Sequence, residues 1–406
     1  MFTPTDDYLK LKALSHSELF ARLTSAEQWW KERQPFFAEH GYMLRPRYRP
    51  GWVPSWQRDP SIDILSAEDQ LTMHALRPHL MDGRRTSDDG LVLIKKIHSS
   101  SSELQIATYL NSPELCQDPR NHTVPVVDVL HDPKDDTVTF LVMPSLRNID
   151  DPSFESVENV LDCCEQLLEG LVYMHDHGVA HRDCAYKNVL VDASPLFPQG
   201  HHAMSTYGLP HDPKKPAPVS SRRGIPLRYY YTDFGISTRY APGEHRAPVL
   251  GRDGLDQDVP ELSETVPYDP FKLDIFVLGN LFREVFLDKF TNVGMLAPLV
   301  EEMTAKEPAK RPTAIAALKR FEGIRHSVPS LHASWRLRPR DEVLPVTAVL
   351  TTCSLVRTSP ILTAYATDSR VLDRFGARSP PYSDPQLWNV VHMICYARRY
   401  LSTHTR

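Results

Sequence analysis

His181-Arg182-Asp183-Cys184-Ala185-Tyr186-Lys187-Asn188 is followed, forty-five positions after Asn188, by Asp233-Phe234-Gly235, which closes an apolar, tyrosine-rich stretch. In that order the two strings supply the groups that phosphoryl transfer needs. They are an Asp to accept a hydroxyl proton, and an Asn five positions later and a second Asp to hold a metal.

Working outward, Val157, Val160, Leu161, Cys164, Leu167, Leu168, Leu171 and Met174 recur at threes and fours, so the spacing predicts a helix leading into His181. Upstream, Leu91 to Ile97 is a short apolar run with β character, and the preceding Met81 to Gly90 supplies a turn. Ser102 to Leu110 carries a helical stripe, and Thr123–Leu130 and Thr137–Met143 are strand candidates. Downstream, Ile275–Phe286, Leu296–Met303 and Thr313–Phe321 read as helices, whereas residues 193–228 lack periodicity and read as an inserted loop.

At 406 residues the chain has room for two lobes and flanking extensions. With 41% apolar and 24% charged residues it is globular rather than disordered, and a net charge of −5 offers no case for nucleic acid. The start lacks the pattern of a signal peptide, and no apolar run reaches the roughly 18 residues of a membrane helix. These features predict an intracellular protein, cytoplasmic or nuclear, with no membrane partner. Cys116, Cys163, Cys164, Cys184, Cys353 and Cys395 show neither disulfide nor zinc spacing.

Near the N-terminus, Thr24-Ser25-Ala26-Glu27 has the form of a capping box opening a helix with Trp29, Trp30, Phe36 and Phe37. Residues 41–52 alternate Arg with Pro and aromatics, which predicts extended chain strapped over the protein's own surface; a docking arm for an acidic partner is the sharper alternative. Ser334 to Glu342 and a helix candidate over residues 387–401 make up a tail expected to pack back on the larger lobe.

Over roughly residues 81 to 325 these motifs resemble the eukaryotic protein kinase superfamily. The Arg-Pro segment and the tail resemble those flanking divergent kinase-like families of mushroom-forming fungi. The resemblance implies an α+β, bilobal protein-kinase-like fold with a small β-rich N-lobe and a larger, mostly helical C-lobe. It divides the chain into an N-terminal extension (1–80), N-lobe and hinge (81–147), C-lobe (148–330) and C-terminal extension (331–406).

The roles it implies are specific. Lys95 would reach the ATP phosphates and pair with Glu103, although Lys96 competes if the strand register slips by one. Met143 would guard the adenine pocket. Asp183 would be the base, and Asn188 and Asp233 would hold Mg²⁺. His181, Arg182, Phe234 and Gly235 would support that centre, Glu261 would pair with Arg311, and Asp274 would bond the backbone of the catalytic loop. Arg182 would grip a phosphate on Ser237, Thr238 or Tyr240.

Three departures qualify the match. No Gly-x-Gly-x-x-Gly precedes Lys95, so the turn holding Arg84 and Arg85 is either a substitute phosphate lid or a plain β-turn. Ala185 stands two residues after Asp183, where relatives use Lys, and Lys187 becomes the candidate replacement. The insertion carries His201, His202 and His211, read as solvated rather than metal-binding, and Lys214, Lys215, Arg222 and Arg223, which could meet an acidic surface. The leading expectation is an ATP- and Mg²⁺-dependent protein kinase acting on a protein hydroxyl, with the acceptor class and oligomeric state open. A pseudokinase binding module is the alternative, and a small-molecule kinase ranks third.

Overall fold

A computed structural model describes residues 16–72 and 77–342. Cys353, Cys395 and the helix candidate at 387–401 lie outside the described residues. Five strands form one antiparallel sheet in the order β1-β2-β3-β5-β4: β1 (Tyr42–Leu44), β2 (Leu80–Arg85), β3 (Leu91–His98), β4 (Asp128–His131) and β5 (Val138–Pro144).

Alternation along β3 decides what each face sees. Val92 and Ile94 join Met81, Phe140 and Val142 in a core completed by Trp30, Phe37, Tyr42, Leu44 and Tyr48. Leu93 and Lys95 face the other way, into a cleft they share with Leu141 and Met143. Lys96 lies over the Trp29 ring, 4.4 Å from its centroid. The register therefore selects Lys95 over Lys96.

The described residues before 80 are built into this lobe. Helices α1 (Ser25–Lys31) and α2 (Gln34–Glu39) carry the aromatic residues, and Thr24 and Glu27 form the expected capping box. The Arg-Pro segment packs within the chain: buried Arg45 Nε donates to Asp82 Oδ2 at 2.7 Å, and buried Arg47 Nε to Glu27 Oε1 at 2.6 Å. A docking arm needs free guanidinium groups, and both of these are engaged inside the fold.

Helix α3 (Ser102–Leu110) packs against β3, and α4 (Val157–Asp176) runs through the second lobe. The larger core gathers around α4, α5 (Pro270–Phe282), α6 (Ala297–Met303) and α7 (Ala314–Ser327). Among the described residues no helix is long and apolar enough to cross a membrane.

The insertion is more ordered than its sequence suggests. Gly208–Leu209 pairs with Asp212–Pro216 as a small antiparallel ribbon. Arg222 is buried, with its guanidinium 4.4 Å from the Phe154 ring centroid and Nη2 donating to Ile149 O at 2.7 Å. His202, expected in solvent, is buried: Nδ1 accepts the N–H groups of Met204 and Ser205, and Nε2 faces Glu68 Oε1 at 3.3 Å. His211 remains exposed. Among the described residues no group of three or more His, Cys, Asp or Glu could hold a metal ion.

Candidate active site

The turn after α4 begins at Gly178, whose φ of +72° suits glycine and where a Cβ would lie 2.3 Å from Tyr240 O. Val179–Ala180 then pairs with Thr238–Arg239, which brings the His181 loop beside the Asp233 turn. Asp274, fully buried on α5, ties this loop down. Its Oδ2 accepts His181 N at 2.8 Å and faces His175 Nε2 at 2.9 Å, and its Oδ1 accepts Arg182 N at 2.6 Å. These donors compensate an otherwise costly buried carboxylate.

His181 is buried with Nε2 3.0 Å from Thr232 O, while Nδ1 accepts the N–H of Asp183 at 3.2 Å. Burial lowers its pKa, in keeping with a neutral ring that links the two strings of the site. Phe234 is buried, its centroid 5.1 Å from the His181 ring.

Asp183 accepts on both oxygens. Leu255 N donates to Oδ1 and Asn188 Nδ2 to Oδ2, each at 2.7 Å. Burial pushes its pKa up to about 6, against those two donors and with the charges of Asp233 and Asp256 adding to the rise.

Across the cleft, Lys95 Nζ lies 2.5 Å from Glu103 Oε1 and 2.8 Å from Asp233 Oδ1. Burial opposes the ammonium, but the two carboxylates outweigh it and raise its pKa. For Asp233 burial is likewise overcome, by Lys95 and by the Gly235 N–H, and its pKa falls. Glu103 remains raised because burial dominates there. Asp233 adopts φ +64°, and a Cβ on Gly235 would sit 3.2 Å from Asp233 Oδ1.

A cavity of about 320 Å³ is bordered by Lys95, Glu103, Met143, Asp183, Lys187, Asn188 and Asp233, so the residues expected at the centre converge. Lys187 is exposed at its edge, and no ion pair or hydrogen bond among the described residues engages its ammonium. Glu261 and the buried Arg311 lie away from this cavity as a bidentate pair.

Of the two readings of the turn holding Arg84 and Arg85, the plain β-turn fits the geometry. Arg84 and Arg85 do not line the cavity: Arg84 donates to Asp89 and to His201 O, and Arg85 to Asp88. The roof is the segment entering β2, Arg77, His79 and Leu80, for which the sequence held no signal beyond its place before a strand. In the unmodified segment Arg182 is already engaged. Its guanidinium donates to Ile236 O and Leu250 O, while Ser237 is buried and donates to His181 O. Tyr240 is buried with its hydroxyl on Ala247 O, and Thr238 lies in the strand beside Ala180.

The family model described as protein tyrosine and serine/threonine kinase matches residues 81–232. No curated protein matches the chain. The match spans Lys95, Glu103, Asp183 and Asn188 and stops one residue before Asp233. Joined to the bilobal, kinase-like α+β fold in which these groups meet, the match supports a protein-kinase-like domain over that stretch.

Proposed function

We propose that the chain is a protein kinase that transfers the γ-phosphoryl group of ATP, with Mg²⁺, to a hydroxyl of a protein substrate, residues 81–147 with the strand and helices that pack on them from before residue 80 forming the smaller lobe, and 148–330 the larger. The observation that carries this reading is the Lys95 ammonium held between Glu103 and Asp233 in the cavity that also exposes Asp183 and Asn188.

The donor set fits the metal. Asn188 uses its Nδ2 on Asp183, which leaves Oδ1 as an acceptor, and Asp233 keeps Oδ2 beyond its contact with Lys95. Both are hard oxygen donors of the kind Mg²⁺ takes alongside phosphate oxygens. Bound there, the ion would neutralise charge on the phosphates. Lys95 would orient the α- and β-phosphates, and Met143 and Leu141 would offer an apolar wall to the adenine. Asp183 would accept the proton of the acceptor hydroxyl as the new P–O bond forms and ADP leaves. Lys187 would steady the transferring group in place of a cation at Ala185.

Support for a protein rather than a small-molecule acceptor comes from the Glu261–Arg311 pair, which braces the segment carrying Leu255. A second reading, a nucleotide-binding module without turnover, draws on the Leu255 N–H already held by Asp183 Oδ1. The test is phosphate incorporation from labelled ATP and Mg²⁺ into generic protein acceptors and into the chain itself. Asp183→Asn is expected to lower it by roughly 10²–10⁴-fold. Equal incorporation by both proteins would sink the enzyme reading, and nucleotide binding without incorporation would select the module.

A further inference from the structure

Between Gly51 and Gly83 the chain contains no glycine, so the roof of the cleft has none of the small residues that let backbone N–H groups close on phosphates. Pro78 removes a further donor. The backbone of this segment is nonetheless held firmly. Pro78 O accepts Trp30 Nε1 at 3.1 Å, His79 O accepts Lys96 N at 2.8 Å, and Arg77 O accepts Leu80 N at 3.1 Å.

From that anchored backbone the exposed side chains of Arg77 and His79 border the same cavity as Lys95, Asp183, Asn188 and Asp233. His79 feels its surroundings: burial lowers its pKa first, then Lys95, with Asp233 opposing. Arg77 has no ion pair or hydrogen bond from its guanidinium among the described residues. The other cleft cation of this lobe, Lys95, is already held by two carboxylates. The arginines of the β2–β3 turn are engaged elsewhere.

We infer that Arg77 is a phosphate-binding residue, its guanidinium taking the phosphate chain of a nucleoside di- or triphosphate from the roof of the cleft. The planar fork of Arg suits two phosphate oxygens at once, a recognition that backbone amides supply in a glycine-rich lid. Arg77 from the N-lobe and Lys187 from the C-lobe then flank the phosphates on either side of Lys95, which keeps its pair with Glu103. The inference rests on the kinase reading above and adds a residue to it.

Calorimetric titration of the full chain with Mg·ATP, Mg·ADP and adenosine tests it, using wild type, Arg77→Ala, Arg77→Lys and Arg84→Ala. Arg77→Ala is expected to raise the Kd of both phosphorylated ligands roughly tenfold, the scale of one charge-assisted contact, while adenosine binds as in wild type. Arg77→Lys should recover part of that loss, which also guards against a folding defect in the alanine variant, and Arg84→Ala should bind normally. Unchanged Mg·ATP affinity in Arg77→Ala overturns the inference alone, as does an equal loss for adenosine. A wild type that binds none of the three ligands overturns the kinase reading and the inference with it.

Discussion

The backbone N–H of Leu255 donates to Oδ1 of Asp183 at 2.7 Å, so the segment before Val259-Pro260-Glu261 reaches back and touches the proposed base. With Asn188 on Oδ2, the carboxylate is fixed in orientation and keeps only its remaining lone pairs for an acceptor hydroxyl.

The pH dependence follows from the raised pKa of Asp183, about 6. A base must be ionised, so kcat/KM of the free enzyme should fall on the acid side with a limb near that value. Stability runs the other way. The fold favours the protonated acid, so this contribution is complete below the unfolded pKa near 4 and is lost as pH rises through 6. Relative to wild type, Asp183→Asn should therefore gain about 2–3 kcal/mol of stability between pH 4 and pH 8, read by urea unfolding at each pH. A constant difference would place the titration elsewhere.

Trp30 joins α1 to the sheet. It is fully buried, 5.7 Å from the Phe140 ring and 5.9 Å from Phe37, and Nε1 donates to the roof at Pro78 O. Trp30→Ala should cost about 3–5 kcal/mol in chemical denaturation. A loss under 1 kcal/mol, roughly a surface effect, would mean that the extension is not part of this core.

Arg311 is fully buried; it donates through two nitrogens to Glu261, and also to Ala305 O and Lys272 O. Removing one partner strands the other's charge, so Arg311→Ala should lower stability by about 3–5 kcal/mol. Replacing both in Glu261→Gln/Arg311→Met should recover a large part of it. A double variant as unstable as the two single losses added together would show that the pair itself contributes little coupling.

Because Arg182 already has Ile236 O and Leu250 O, activity should not depend on phosphate in the adjacent segment. Phosphatase treatment should leave turnover within about twofold, which is under 0.5 kcal/mol in the barrier. Ser237→Ala should cost about 1 kcal/mol of stability through the lost bond to His181 O. A large drop in turnover after phosphatase would restore a regulatory phosphosite.

Much of the site was legible because its residues act in short strings whose spacing is dictated by local backbone. Asp183 and Asn188 share one turn, and Asp233 and Gly235 another, so their chemistry could be read before their positions were known. Asp274 was legible through the resemblance, and its burial among donors is what such a carboxylate needs. The insertion was misread for the opposite reason. His202 and Arg222 look solvated in a Pro-rich stretch, and only Glu68, Ile149 O and Phe154, brought in from other parts of the chain, make burying them tolerable.

The sequence by itself determined the order of the motif residues and the helices and turns that carry them, because helical periodicity and tight-turn spacing are local properties; the two-lobed fold came from the resemblance those motifs bear to a family. Which cations face the cleft was decided only by the tertiary structure. Arg77, Arg84, Arg85, Lys95 and Lys96 look equally charged along the chain. Strand alternation sends Lys96 to Trp29 and Lys95 to the cleft, Asp88 and Asp89 engage the arginines of the turn, and the anchored entry to β2 leaves Arg77 over the cavity. Which partner the fold gives each charge is a tertiary property, and no run of letters records it.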